Sequence, residues 1–129
     1  MRTFIYYLTI ATLVTHELDA VRHSEWVLLY ILRDLPAATA YTVFVVLHVP
    51  LIVAILWLSH HQNEKLQSIF RFLFGVLTCV HAIIHLGLEG SEKYFFEGWL
   101  ADGLIFGSAT LGAIYSTTVL LDHLTDRSN

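Results

Sequence analysis

Little in this chain suits a water-facing surface. Charged residues occupy 14% of its 129 positions, where soluble domains carry about 25%. Lys and Arg number 7 against 11 Asp and Glu, a net charge of −4, so the basic footprint of a nucleic-acid binder is missing. A single cysteine, Cys79, excludes an internal disulfide framework and a CxxC metal knuckle. No GxSxG or GxxxxGK(S/T) string occurs, so serine-hydrolase and P-loop chemistry find no support. Internal repeats, low-complexity tracts and a separate soluble domain are also absent from the sequence. What is abundant is apolar: 56% of residues, with a mean hydropathy of +0.63. That is far too apolar for disorder. Histidine stands out among the polar residues, with 8 copies against 7 Lys and Arg together.

Crossing a bilayer takes about 20 mostly apolar residues. Ala37 to Ser59 supplies 23 with no formal charge, Leu66 to Leu88 supplies 23 with Arg71 near its start, and Gly98 to Leu121 supplies 24 with Asp102 near its start. The first apolar run, Thr3 to Thr15, is shorter and leads straight into His16-Glu17-Leu18-Asp19. Arg2 followed by an apolar stretch has the outline of a signal peptide, but no small-x-small cleavage site follows. A first membrane helix over about 2–21 is expected instead, its last two turns facing protein. The chain is therefore read as one all-α integral membrane domain, 1–129: a four-helix transmembrane bundle with helices at about 2–21, 37–59, 66–88 and 98–121. A short interfacial or re-entrant segment, 26–32, follows the first helix, with Ser24 as its N-cap. Short connections make neighbours antiparallel.

Gly103, Gly107 and Gly112 place small residues along the last helix, joined by Ser108 and Ser116. Such residues allow close helix approach in lipid. Packing inside the bundle is the simpler use, and a homo-oligomer through this face is the other. Orientation is weakly signalled: Arg2, Lys65, Arg71 and Arg127 on one side, Arg22, Arg33 and Lys93 on the other. That margin favours a cytoplasmic N-terminus, with the bacterial inner membrane as the expected location.

Ionisable residues inside membrane helices are expensive and mark function by default. At 1.5 Å per residue, His16 lies roughly 20 Å along the first helix and His48 roughly 16 Å from Ala37 on the second. His81 and His85 lie late in the third. With antiparallel neighbours, all four fall in the same half of the bilayer. His16 and Asp19 share one helical stripe, and His81 and His85 stand at i, i+4, the spacing by which one helix gives two ligands to one metal. Imidazole and carboxylate are what Zn, Fe, Mn or Cu take from a protein. The expected metal ligands are His16, Glu17, Asp19, His48, His81 and His85. Asp19 doubles as a residue holding a His tautomer or acting in catalysis, and Glu25 is a candidate general base. Pro50 cannot donate to Val46, so a kink beside His48 would open space there. His60, His61 and His123 read as solvated, His23 as interfacial and outside the site, Cys79 as core, Trp26 as an interfacial anchor and Arg71 as snorkelling.

The strings His16-Glu17-Leu18-Asp19-Ala20, Glu25-Trp26, His48-Val49-Pro50-Leu51 and His85 resemble a family of small four-helix bacterial membrane proteins of unknown function. The layout is similar to that of the HXXEE membrane family, although Leu18-Asp19 stands where a Glu-Glu pair would be. The resemblance covers most of the chain. It implies a shared four-helix fold and a polar site at His16, Glu17, Asp19, Glu25, His48 and His85, and it brings no activity with it.

The function class that fits best is an intramembrane metalloenzyme. Its divalent transition metal, Zn or Fe first, would act on a membrane lipid or other apolar small molecule by hydrolysis or oxidation. A metal-ion or proton transporter or sensor would use the same groups as a relay, but the cytoplasmic half is nearly all apolar apart from Arg71. A haem-binding or accessory subunit of a membrane complex is the third class.

Overall fold

The computed structural model describes residues 1–128, with side chains through Thr125. Arg127, counted above for orientation, therefore lies outside the described side chains. Four helices form the chain: α1 (Arg2–Arg22), α2 (Ala37–Ser59), α3 (Glu64–Leu88) and α4 (Trp99–Ser128), with a short 3₁₀ turn at Glu25–Val27 and no strand among the described residues. Three of them, α2, α3 and α4 over Trp99–Thr125, are long and apolar enough to cross a membrane. At 21 residues α1 is about as long, roughly 31 Å, but Glu17, Asp19 and Arg22 gather in its last two turns.

The polar residues in the last two turns of α1 explain which of its faces turns inward there. Its buried residues are Tyr6, Thr9, Leu13, His16, Asp19 and Ala20, one stripe at three- and four-residue spacing, while Leu18 between them is 71% exposed. The polar turns thus face the bundle and an apolar side chain faces out. On α2 the large outward side chains (Val46, Val49, Val53 and Trp57) are all more than half exposed, as a lipid-facing wall requires.

The helices run alternately up and down. Tyr6 on α1 meets Ser59 at the far end of α2, and Arg2 forms an ion pair with Asp122 near the end of α4. The tightest contact joins α3 to α4 at Gly75 and Gly112. A Cβ at Gly75 would stand 2.8 Å from the Gly112 carbonyl oxygen, and one at Gly112 would stand 2.6 Å from that of Gly75. Only hydrogen fits there. Ser116 Oγ donates to the Phe72 carbonyl at 3.2 Å across the same contact. Gly112 is therefore taken by α3, Gly107 faces Thr12 on α1, and Gly103 has nothing within 4 Å of its Cβ position. The three glycines do not present one common free face to a second copy.

Several boundaries move for local reasons. Asn63 caps α3, its Oδ1 accepting from the Leu66 N–H at 3.1 Å, so the polar Glu64-Lys65 pair forms the first turn. Glu64 also suits the positive helix end. α4 continues to Ser128, past the apolar run's end at Leu121, because no breaker follows. α2 runs on through Pro50. Segment 26–32 is a set of turns rather than a helix, and Ser24 sits left-handed at φ 57° without a capping side-chain bond. A non-glycine residue in that region is uncommon. The turn tucks Leu32 into a core with Ala20, Phe44, Ala82, Phe96 and Ile105, and packs Trp26 on Tyr41 and Phe44.

Candidate metal centre

Three elements deliver four donors to one point. α1 brings His16, α3 brings His81 and His85 one turn apart, and the 3₁₀ turn brings Glu25. One ligand atom from each lies within 4.8 Å of the others. Glu25 Oε2 is 3.6 Å from His16 Nε2, and Oε1 is 3.8 Å from His85 Nε2. The His16 ring meets those of His81 and His85 at centroid distances of 4.9 and 5.1 Å, and His81 meets His85 at 4.6 Å. His16 is 0% exposed and Glu25 7%.

These donors have little else to bind. Among the described residues, the buried side-chain nitrogens and oxygens without a hydrogen-bond partner are His16 Nδ1 and Nε2, Asp19 Oδ2, Glu25 Oε2 and His81 Nε2. All belong to this cluster or the helical turn beside it. Each orphaned buried polar atom costs about 1–3 kcal/mol. A neutral imidazole offers one lone pair and a carboxylate several, so a cation at the centre would satisfy one His16 nitrogen, one nitrogen of His81 and a Glu25 oxygen, leaving the other His16 nitrogen and Asp19 Oδ2 to other partners.

The surroundings hold the donors in place. Tyr94 OH and His85 Nδ1 are 3.2 Å apart, the kind of outer contact that fixes a ligand's tautomer. Burial, then the charges of Asp102, Glu89 and Glu25, raise the Tyr94 pKa, so its hydroxyl keeps its proton at neutral pH. Phe96, 3% exposed, packs on the rings of His16, His85 and His23 at 5.5, 4.9 and 4.9 Å. Burial, aided by the charge of Glu17, pushes the Glu25 carboxyl up to about 8.

The residues expected from sequence divide into three groups. His16, His81 and His85 converge, and Glu25, read as a base, joins them as a fourth donor. Glu17 and His48 instead face each other, Oε2 to Nε2 at 2.8 Å. His48 Nδ1 donates to the Phe44 carbonyl at 2.7 Å, because a carbonyl can only accept; its Nε2 therefore shares a proton with the Glu17 carboxylate. Asp19 lies outside the four-donor cluster, with Oδ2 3.2 Å from His23 Nδ1. That nitrogen bonds the Asp19 backbone carbonyl at 2.9 Å, which leaves Oδ2 near the ring without a hydrogen bond. Sequence gave no cue to Tyr94 and Phe96, which sit in a connecting loop. The His23 ring, set aside at the interface, packs on the same Phe96.

A small cavity of about 150 Å³ adjoins the cluster at His85, Tyr94 and Phe96, and two larger ones open beside His81. One of about 230 Å³ has Glu25 and His81 on its lining together with Glu17 and His48. The other, about 490 Å³, lies between α1, α2 and α3, and apart from Glu17, Thr78 and His81 its lining is apolar. Glu17, Leu51 and His81 line both.

Several polar side chains away from the cluster have ordinary roles. Arg71 donates to the Ser59 carbonyl through Nε and Nη2 at 2.9 and 2.6 Å, closing the end of α2. Cys79 Sγ lies near the Gly75 and Ala109 carbonyls. His60 stacks on Tyr7 at the surface, and His123 is exposed.

Residues 2–122 match a family of unknown function, DUF6713. The chain belongs to that family. The match spans every residue of the cluster, and a small four-helix protein without an assigned activity is what the His16 to His85 strings implied. No curated protein and no solved structure matches the chain.

Proposed function

We propose that this family member is an intramembrane metalloenzyme whose divalent transition metal is held by His16, Glu25, His81 and His85. The observation that carries this is the convergence of three imidazoles and a carboxylate, from three separate elements, on one buried point within 4.8 Å. Neutral nitrogen donors with one carboxylate suit Fe(II), Mn(II) or Zn(II). Four protein donors fill a tetrahedral zinc. An iron held by the same four residues would supply oxidation, the first chemistry expected here. A zinc held there would supply hydrolysis instead.

The substrate is membrane lipid or another apolar molecule. Leu73, Leu77, Val80 and Ile84 line the larger cavity and are each more than 40% exposed on α3, so the route into it is lateral, from lipid. Glu17 and His48, which share the lining of the smaller cavity with Glu25 and His81, would bind a polar group of the substrate. With the N-terminus in the cytoplasm, the site lies in the outer half of a bacterial inner membrane.

Transport is less well supported. Below the cluster, Tyr6 packs on Phe74 and Tyr115 at 5.8 and 5.1 Å, which closes the other half of the bundle. Haem ligation is disfavoured too, since rings at 4.6 to 5.1 Å leave no slot for a porphyrin. The test is elemental analysis of detergent-purified protein. One metal per chain is expected, lost in His16→Ala and His85→Ala and kept in His48→Ala. Metal-free wild type after growth with iron, zinc and manganese would contradict the proposal.

A further inference from the structure

A further cavity, about 360 Å³, lies outward of the cluster between the 3₁₀ turn and the α3–α4 connection, lined by Val27, Leu28, Arg33, Leu88, Ser91, Glu92 and Lys93. Its position follows from the chain. Val27 and Leu28 come directly after Glu25, and Leu88 is three residues beyond His85, about 4.5 Å further along α3. The cations on its lining stand out at this end of the molecule. Asp34, Glu89, Glu92, Glu97 and Asp102 make the end acidic, and Arg22, Arg33 and Lys93 are its cations. Two of those three cations line this one cavity.

Neither cation is consumed by its neighbours. Lys93 has no ion pair among the described residues. The Arg33 guanidinium stacks on Tyr30, its Cζ 4.3 Å from the ring centroid, and only its Nε approaches Asp34, at 3.8 Å. An exposed pair of that kind contributes little, whereas stacking orients the planar fork and leaves its terminal N–H groups free. Ser91 Oγ accepts from the Lys93 backbone N–H at 3.3 Å, so its hydroxyl hydrogen is free to donate. Arg33, Lys93 and Ser91 on a lining shared with Val27, Leu28 and Leu88, and opposed by one carboxylate, Glu92, are the residue types that suit a phosphate attached to hydrocarbon.

We propose that this cavity binds the phosphate group of an amphiphile, so that the substrate of the metal site is a phosphate-bearing lipid. The inference rests on the metal-site reading for the word substrate, and on Arg33, Lys93 and Ser91 for the phosphate. Order along α3 supports it. Leu73 to Ile84 line the apolar cavity, His81 and His85 belong to the donor cluster, and Leu88 floors the phosphate cavity. Chain, reactive linkage and headgroup would meet their matching surroundings in that sequence.

The test uses the full-length protein in an uncharged detergent and three probes: dihexanoyl phosphatidic acid, dihexanoyl glycerol and inorganic phosphate. Phosphatidic acid is expected to bind at least tenfold more tightly than either of the others. Arg33→Gln and Lys93→Gln should each weaken it about tenfold, the loss of one charge-assisted contact. Glu92→Gln, which removes a carboxylate from the lining, should tighten it, a gain that misfolded protein cannot mimic. Metal content is measured on the same samples. Normal metal with binding unchanged in all three variants overturns the phosphate site and spares the metal reading. Charge-dependent lipid binding by metal-free protein does the reverse. Equal affinity for inorganic phosphate and phosphatidic acid overturns the lipid as its source.

Discussion

Two buried polar regions of this bundle have opposite economies of hydrogen bonding. Toward one end, Tyr6 and Ser59 share a bond at 2.6 Å, Arg71 donates twice to the Ser59 carbonyl, and Thr78 and Ser116 donate to backbone carbonyls of α3. Each of these side chains is answered. Toward the other end, His16, Glu25 and His81 meet at one point with atoms that have no partner. Both regions lie among helices of which three are long and apolar enough to cross a membrane, a setting in which unsatisfied groups are costly. The difference teaches that buried polarity alone does not mark a site. The first region is glue between helices, and the second has a deficit that only something added can fill.

The contrast can be broken by exchanging the two kinds of loss. The largest effect is expected at the cluster: His16→Ala or His85→Ala should abolish metal retention through desalting, read by elemental analysis, while the helical circular dichroism remains. Next in size is Gly112→Ala. Its Cβ would press on the Gly75 backbone and Thr78, so about 3 kcal/mol of stability should be lost, seen as a lower melting temperature in detergent. Metal stoichiometry should hold in whatever remains folded. Tyr94→Phe removes an outer contact of His85 and should weaken metal affinity by about ten- to a hundredfold with little change in melting. Tyr6→Phe is the mirror image, about 1 kcal/mol of stability with metal affinity untouched.

A pH titration sharpens the same comparison. With the Glu25 carboxyl pushed up to about 8, its proton must leave before the carboxylate binds a metal. Metal affinity should therefore climb as pH rises toward 8 and level off above it. In metal-free protein the sign reverses. The raised value means the folded state holds that proton more firmly, so its stabilising contribution is full below the ordinary carboxylate range and is lost as pH rises through about 8. Glu25→Gln should flatten that part of both profiles. An unchanged profile in that variant would place the titration elsewhere.

Much of this was legible because apolar runs and helical stripes obey simple periods. The span of α2 matches its uncharged run from Ala37 to Ser59, and the inward stripe of α1 follows from the spacing of His16 and Asp19. His81 and His85 were readable as a pair for the same reason. Position around an irregular turn has no such period. Glu25 reaches the cluster through a left-handed Ser24 and a three-residue 3₁₀ turn, and Tyr94 and Phe96 arrive on a connecting loop. Depth was readable for His48, but its partner was not. Choosing between a metal and the Glu17 carboxylate depends on where the α2 backbone stands relative to α1, which the sequence of neither helix specifies.

The central claim is that the imidazoles of His16, His81 and His85 and the carboxylate of Glu25 bind one ion. X-ray absorption spectroscopy of the metal-loaded, detergent-solubilised chain tests it at the ligands themselves. The account predicts three imidazole nitrogens at about 2.0–2.2 Å with a carboxylate oxygen in the same shell, and one imidazole fewer in His81→Ala. A shell of oxygen alone, without imidazole scattering, would contradict it.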